Sequence, residues 1–172
     1  MVSAIHSMRR RTSQGFSLIE LLITIVIFLL LLSVGIANFI RFNDRQKVTE
    51  SVRKIKSSLQ LAHTRTRTGD LGGCDLLAGY SVTSSVQPDQ LTHVVVSAEC
   101  DDGSSAISEE ITLFPSVTVS PALDVFYEVI SGYVCLTSDC TNADETYTVD
   151  NSGMTYSFVV TNAGEVRVGD WD

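Results

Sequence analysis

The stretch GFSLIELLITIVIFLLLLSVGIANFI, residues 15–40, decides the fold. From Phe16 to Ile40 it is almost entirely apolar, and Glu20 is its only charged residue. The run is longer than the roughly 20 residues an α-helix needs to cross a bilayer. A soluble domain would have to bury it on every side, and the rest of a 172-residue chain is too small for that. Residues 16–40 are therefore expected to span a membrane. A carboxylate in such a helix costs on the order of a few kcal/mol, so Glu20 is expected to serve a purpose.

Upstream, residues 1–15 carry Arg9, Arg10 and Arg11 and no acidic residue, which reads as a targeting leader. Positive charge ahead of the apolar run keeps this end in the cytoplasm and sends the C-terminal part outside. An ordinary secretory signal would be cut after the apolar run, and Ser33-Val34-Gly35 or Gly35-Ile36-Ala37 fits its small-x-small site. A secreted enzyme released near Asn38 is the reading that this pattern leaves open.

Downstream, the helical pattern continues without a proline. Val48, Val52, Ile55, Leu59 and Ala62 recur at three- and four-residue spacing, with Arg53, Lys54 and Lys56 on other faces. Gly69-Asp70-Leu71-Gly72-Gly73 ends the helix. Residues 16–68 as one helix would extend roughly 80 Å at about 1.5 Å per residue. The second half presents an apolar stripe that needs cover. Tyr80-Ser81-Val82-Thr83 and Thr92-His93-Val94-Val95-Val96 read as strands about the turn Gln87-Pro88-Asp89-Gln90. Further strands are expected at residues 111–114, 125–130 and 133–136, the last two parted by Ser131-Gly132. Tyr156, Phe158 and Val160 alternate with Ser157 and Val159, and Asn162-Ala163-Gly164 then leads to Val166 and Val168, a hairpin with glycine where positive φ is required. The expected fold class is α+β: one long N-terminal helix whose amphipathic half packs on an antiparallel sheet. Its divisions are a leader at 1–15, a membrane helix at 16–40, a basic amphipathic helix at 41–68 and an acidic β-rich head at 69–172.

Charge is divided accordingly. Residues 41–68 hold eight basic residues against Asp44 and Glu50, a net of +6. Beyond residue 68, Arg167 stands alone against 17 acidic residues, a net of −16. That head argues against nucleic acid as a partner, because phosphates require facing Lys or Arg. Arg65-Thr66-Arg67 is expected to face acidic neighbours instead. Cys74, Cys100, Cys135 and Cys140 all follow the apolar run, which implies export and two disulfides. Pairing sums near 177 about the first hairpin would put residue 77 opposite Cys100, within a loop's reach of Cys74. Cys135 and Cys140 enclose four residues, enough for a tight turn. Cys74–Cys100 with Cys135–Cys140 is favoured, and two other connectivities stay open. No metal or cofactor is expected: the cysteines form no CxxC pair, and Asp139, Asp144, Glu145 and Asp150 lack EF-hand spacing and read as a solvated loop. His93 shows no evident partner, and no nucleophile motif such as GxSxG occurs, so no catalytic residue is assigned.

Gly15-Phe16-Ser17-Leu18-Ile19-Glu20 resembles the processing site of the type IV prepilin and pseudopilin family: glycine, then phenylalanine, then glutamate at the fifth mature position. The resemblance covers the first third of the chain and joins a basic leader, a Gly-Phe junction and one carboxylate just inside an apolar run. It implies cleavage by prepilin peptidase between Gly15 and Phe16, N-methylation of Phe16, and assembly through Phe16 and Glu20. The peptidase must admit an extended backbone, and Gly15 puts no side chain in its way. Glu20 would meet the Phe16 ammonium of its own or a neighbouring subunit, a pairing that sets register more than it adds stability. Where many members carry proline this chain has Ala37, with Gly35 two residues before it. The basic helix, Cys74 loop, Gly79-Tyr80 strand and Gly164 hairpin are similar in order to minor pilins and H-type pseudopilins. The partners implied are other pilin or pseudopilin subunits, prepilin peptidase, an inner-membrane assembly platform and membrane lipid, with the N-terminus inside and a cell-surface filament after assembly. The rival is a single-pass anchored extracytoplasmic binding domain that never polymerises, which would need neither Gly15 nor Glu20.

Overall fold

The computed structural model describes residues 16–129, 134–136, 140 and 144–171. The chain divides into two compact units, Met1–Ile40 and Arg41–Asp172. The helix α1 (Leu18–Thr68), 51 residues long, contributes to both. It begins two residues later than expected, with Phe16 and Ser17 ahead of it.

In the second unit the apolar stripe of α1 is the buried one. Val48, Ile55, Leu59 and Ala62 are fully covered and Val52 nearly so. At about 1.5–3 kcal/mol for each large aliphatic side chain, this stripe holds the helix to its strands. Asp44 and Lys47, three residues apart, pair at 2.9 Å. The helix ends in a Schellman turn: Asp70 N–H donates to Arg65 O at 3.1 Å and Gly69 N–H to Thr66 O at 3.3 Å. Gly69, at φ +68, sits at the left-handed position this turn requires.

The described strands form two sheets, where the sequence led us to expect one. β1 (Leu77–Val86), β2 (Thr92–Cys100), β3 (Ser105–Thr112), β5 (Asp124–Glu128) and β6 (Val134–Cys135) form the first, in the order β3-β2-β1-β5-β6. β4 (Val117–Ser120), β7 (Glu145–Asn151), β8 (Met154–Val160) and β9 (Val166–Trp171) form the second, in the order β4-β7-β8-β9. All pairings are antiparallel, and with α1 they make an α+β fold. The second sheet has its own apolar face. Tyr147 and Val149 on β7, and Tyr156, Phe158 and Val160 on β8, join the core that Tyr80, Val82, Val94 and Val96 supply from the first sheet.

β7 corrects the reading of an acidic loop. Glu145 and Asp150 are strand residues: Tyr147, Val149 and Asn151 point into the interior and alternate with Thr146, Thr148 and Asp150, and Glu145 starts the strand at its partly covered end. Asp144 directly precedes this strand, and its carboxylate accepts the Asn162 N–H at 3.1 Å. Asp139, like Ser131, Gly132 and Tyr133, lies outside the described residues. β3 starts earlier than the strand expected at 111–114 and stops before Leu113; its polar residues Ser105, Ser108, Glu109 and Glu110 and the exposed Ile107 hide the alternation in the sequence. The Gly164 hairpin agrees with expectation: Gly164, at φ +77, donates to Thr161 O at 2.8 Å and turns β8 into β9.

Candidate functional site

The functional reading concerns the start of the first unit. Phe16 is 82 % exposed and precedes the helix. Leu21 N–H donates to Ser17 O at 3.1 Å, so the first turn reaches back to Ser17. Glu20 lies in that turn, where the uncapped N–H groups and the helix dipole favour a carboxylate. It makes no ion pair among the described residues. Gly15, and with it the expected cleavage junction and Arg9–Arg11, lies outside the described residues.

Around Glu20 the helix is apolar on every face. Leu18, Ile19, Leu21, Leu22, Ile23, Ile25 and the side chains onward to Leu32 all stand exposed. A helix that is hydrophobic all round needs an apolar surrounding, either lipid or other helices. Among the described residues, no helix is long and apolar enough to cross a membrane.

In the second unit, two disulfides join Cys74 to Cys100 and Cys135 to Cys140, with Cα separations of 5.4 and 4.3 Å. The first arises by a route that differs from the one expected. The β1–β2 loop holds five residues, with Gln87 N–H donating to Leu91 O at 3.0 Å, so Val86 faces Thr92 and the ladder runs one step off. A bulge between Leu77 and Gly79 restores the step, and Leu77 faces Cys100 after all.

The two histidines here have structural partners, whereas the buried Tyr127 hydroxyl has no hydrogen-bond partner among the described residues. His93, expected to have none, takes two: its Nδ1 lies 2.7 Å from Glu110 Oε1 and its Nε2 3.3 Å from Asp89 Oδ2. Hydrogen bonding to Glu110 raises its pKa above the ordinary value. Asp89 is held low, first by the Leu91 N–H. His63 stacks on Tyr127 with ring centroids 5.4 Å apart, and burial lowers its pKa, helped by the charge of Arg67. Burial pushes the Tyr127 and Tyr147 hydroxyls up, beyond the reach of ordinary pH. Arg65 lies 3.7 Å from Asp70, so that helix end does meet an acidic neighbour. Among the described residues, no cluster of three His, Cys, Asp or Glu side chains is arranged to hold a metal ion.

One feature was missed in the sequence. Trp171, the single tryptophan, lies on the edge strand β9 with the Arg45 guanidinium 4.6 Å above its indole. Tyr156 meets it edge-on at 5.0 Å. Its alternation with Gly169 on a terminal strand was the available signal.

With this geometry in view, comparison with known proteins is informative at one end of the chain. Residues 10–36 match the family described as the prokaryotic N-terminal methylation motif, the class III signal peptide of type IV pilins and pseudopilins. The matched span contains Gly15, Phe16 and Glu20. No curated protein and no solved structure matches the chain. The motif is that of pilin-like precursors processed by prepilin peptidase, and it points to a structural pilin-like protein.

Proposed function

We propose that this chain is a structural subunit of a type IV pilus-like filament or pseudopilus, cut between Gly15 and Phe16, N-methylated on Phe16 and assembled through its N-terminal helix. The observation that carries the reading is the methylation motif over residues 10–36, with Glu20 the one carboxylate in an otherwise apolar helix. Before assembly the run of residues 16–40 lies in the inner membrane, N-terminus inside, and the residues beyond it lie outside. In the filament the same surface packs on the helices of neighbouring subunits, and Glu20 meets the Phe16 ammonium, which relieves the cost of a lone buried charge. Membrane lipid, the prepilin peptidase and an inner-membrane assembly platform are the partners at successive stages. A finer assignment, to a minor pilin or an H-type pseudopilin, is supported by the order of basic helix, Cys74 loop and Gly164 hairpin.

Glu20→Val tests the assembly role. The variant should be processed and held in the membrane as the parent is, and should fail to enter filaments. Filament entry at the parental level would refute the role of Glu20 and favour the rival reading, a membrane-anchored binding domain.

A further inference from the structure

We propose that the groove beside Trp171 receives the acidic edge strand β3 of a second copy of this chain. The inference rests on the filament reading and names a contact between the strand-bearing units. The groove encloses about 450 Å³ between one face of α1, at Phe42, Arg45, Thr49 and Arg53, and Trp171 on β9. Arg45 from above and Tyr156 from the side hold the indole in place, so its surface is ordered before any partner arrives. Arg41 and Lys56 extend the lining at either end.

The charges in the groove are unspent. Arg41, Arg45, Arg53 and Lys56 form no salt bridge among the described residues, and Glu50 alone opposes them in the lining. Four cations around an ordered tryptophan have the composition of an interaction hot spot, and the complementary surface must be acidic with an apolar centre.

β3 has that character. It closes one side of the five-stranded sheet, so its outer backbone groups are unpaired within that sheet. It carries Glu109 and Glu110, the latter with one oxygen on His93 and 48 % of its side chain exposed, and Ile107 on the same strand is 69 % exposed. Glu110, opposite Val95, and Ile107, opposite Ser97, share the outward face of the sheet, while Glu109, opposite the buried Val96, lies on the other face. Glu110 meets the cations of the groove, and Ile107 covers the indole or Phe42. β9 ends one sheet and β3 ends the other, so groove and strand are different surfaces of one unit. A contact between unlike surfaces is heterologous, and it repeats from copy to copy as an open filament where its rotation does not close a ring. Cations beside an aromatic ring also suit single-stranded nucleic acid. The net charge of −16 beyond residue 68 opposes a long phosphate chain and supplies the acidic partner from within the protein.

The composition of the chain makes the test clean. Its only lysines are Lys47, Lys54 and Lys56, all on α1. Full chain from cells that make a prepilin peptidase is purified in detergent micelles, and ¹⁵N-labelled and unlabelled preparations are mixed. A carbodiimide then joins amines to carboxylates in direct contact. We expect mixed-isotope peptides linking Lys56 to Glu110, with a yield that falls about tenfold in Arg45→Glu/Arg53→Glu. Mixing that variant with Glu110→Lys should bring the link back, now between the new amine and the new carboxylates. Mixed links that are absent, that join other carboxylates, or that ignore the charge swap would overturn the proposal. Saturable quenching of Trp171 by a single-stranded oligonucleotide would overturn it too, by assigning the groove to nucleic acid. The N-terminal mass of the same sample separates the two readings. N-methyl-Phe16 without mixed links sinks the contact alone; mixed links on a chain that keeps its leader sink the filament reading.

Discussion

Leu59→Ala should cost the strand-bearing unit about 3 kcal/mol. Leu59 is completely buried on the stripe of α1 that shares a core with the inner faces of both sheets. Truncation removes about three carbons' worth of apolar burial, about 2 kcal/mol at ~0.8 kcal/mol per methylene. The rest is the cavity, which a site walled by a helix and two sheets closes only in part. Urea unfolding of the full chain in micelles, followed by Trp171, reads this directly, because the only tryptophan packs against Tyr156 in the same unit. With a slope of about 2 kcal/mol per molar urea, the midpoint should fall by about 1.5 M. Gln60, the next residue, is exposed, and Gln60→Ala should stay within about 0.5 kcal/mol of the parent. A loss below 1 kcal/mol for Leu59→Ala at unchanged slope would refute the claim that this stripe anchors the helix.

The two disulfides should differ in worth. Cys74 and Cys100 are separated by 26 residues and Cys135 and Cys140 by 5, so the chain-entropy relation gives about 3.5 and about 2 kcal/mol. Serine pairs compared by urea midpoint should keep that order, and a reversal would contradict it. The two histidines of this unit should titrate in opposite directions from 6.5 when followed by NMR. His93, raised by Glu110, stabilises the fold fully below 6.5 and loses this contribution as pH rises through its native value. His63 is lowered by burial, so the unfolded chain takes up its proton first, and stability falls as pH drops from 6.5 toward the native value. Midpoints displaced in the same direction would undo both assignments.

The helix was legible because its signals are local. The stripe of Val48, Val52, Ile55, Leu59 and Ala62 is written at helical spacing, and Gly69 marks its end. The methylation motif was legible for the same reason, since a peptidase reads a short contiguous segment. β7 was less visible. Its outward positions carry Thr146, Thr148 and Asp150, and the acidity of Asp144, Glu145 and Asp150 obscured the alternation of Tyr147, Val149 and Asn151 beneath. β4 has four residues and draws its place from pairing with β7, which no local pattern states. The partners of His93 depend on register. The β2–β3 ladder sets His93 opposite Thr112 and Val95 opposite Glu110, which brings Glu110 alongside the imidazole. The groove required still more, because Arg45 and Trp171 lie near opposite ends of the second unit's sequence and meet through packing.

The central claim, a pilin-like precursor cut at Gly15, is tested most directly by the mass of the mature N-terminus. The account predicts a chain that begins at Phe16 and carries one added methyl group on its α-amino nitrogen. A chain that retains Arg9–Arg11, or one that begins near Asn38, would contradict it.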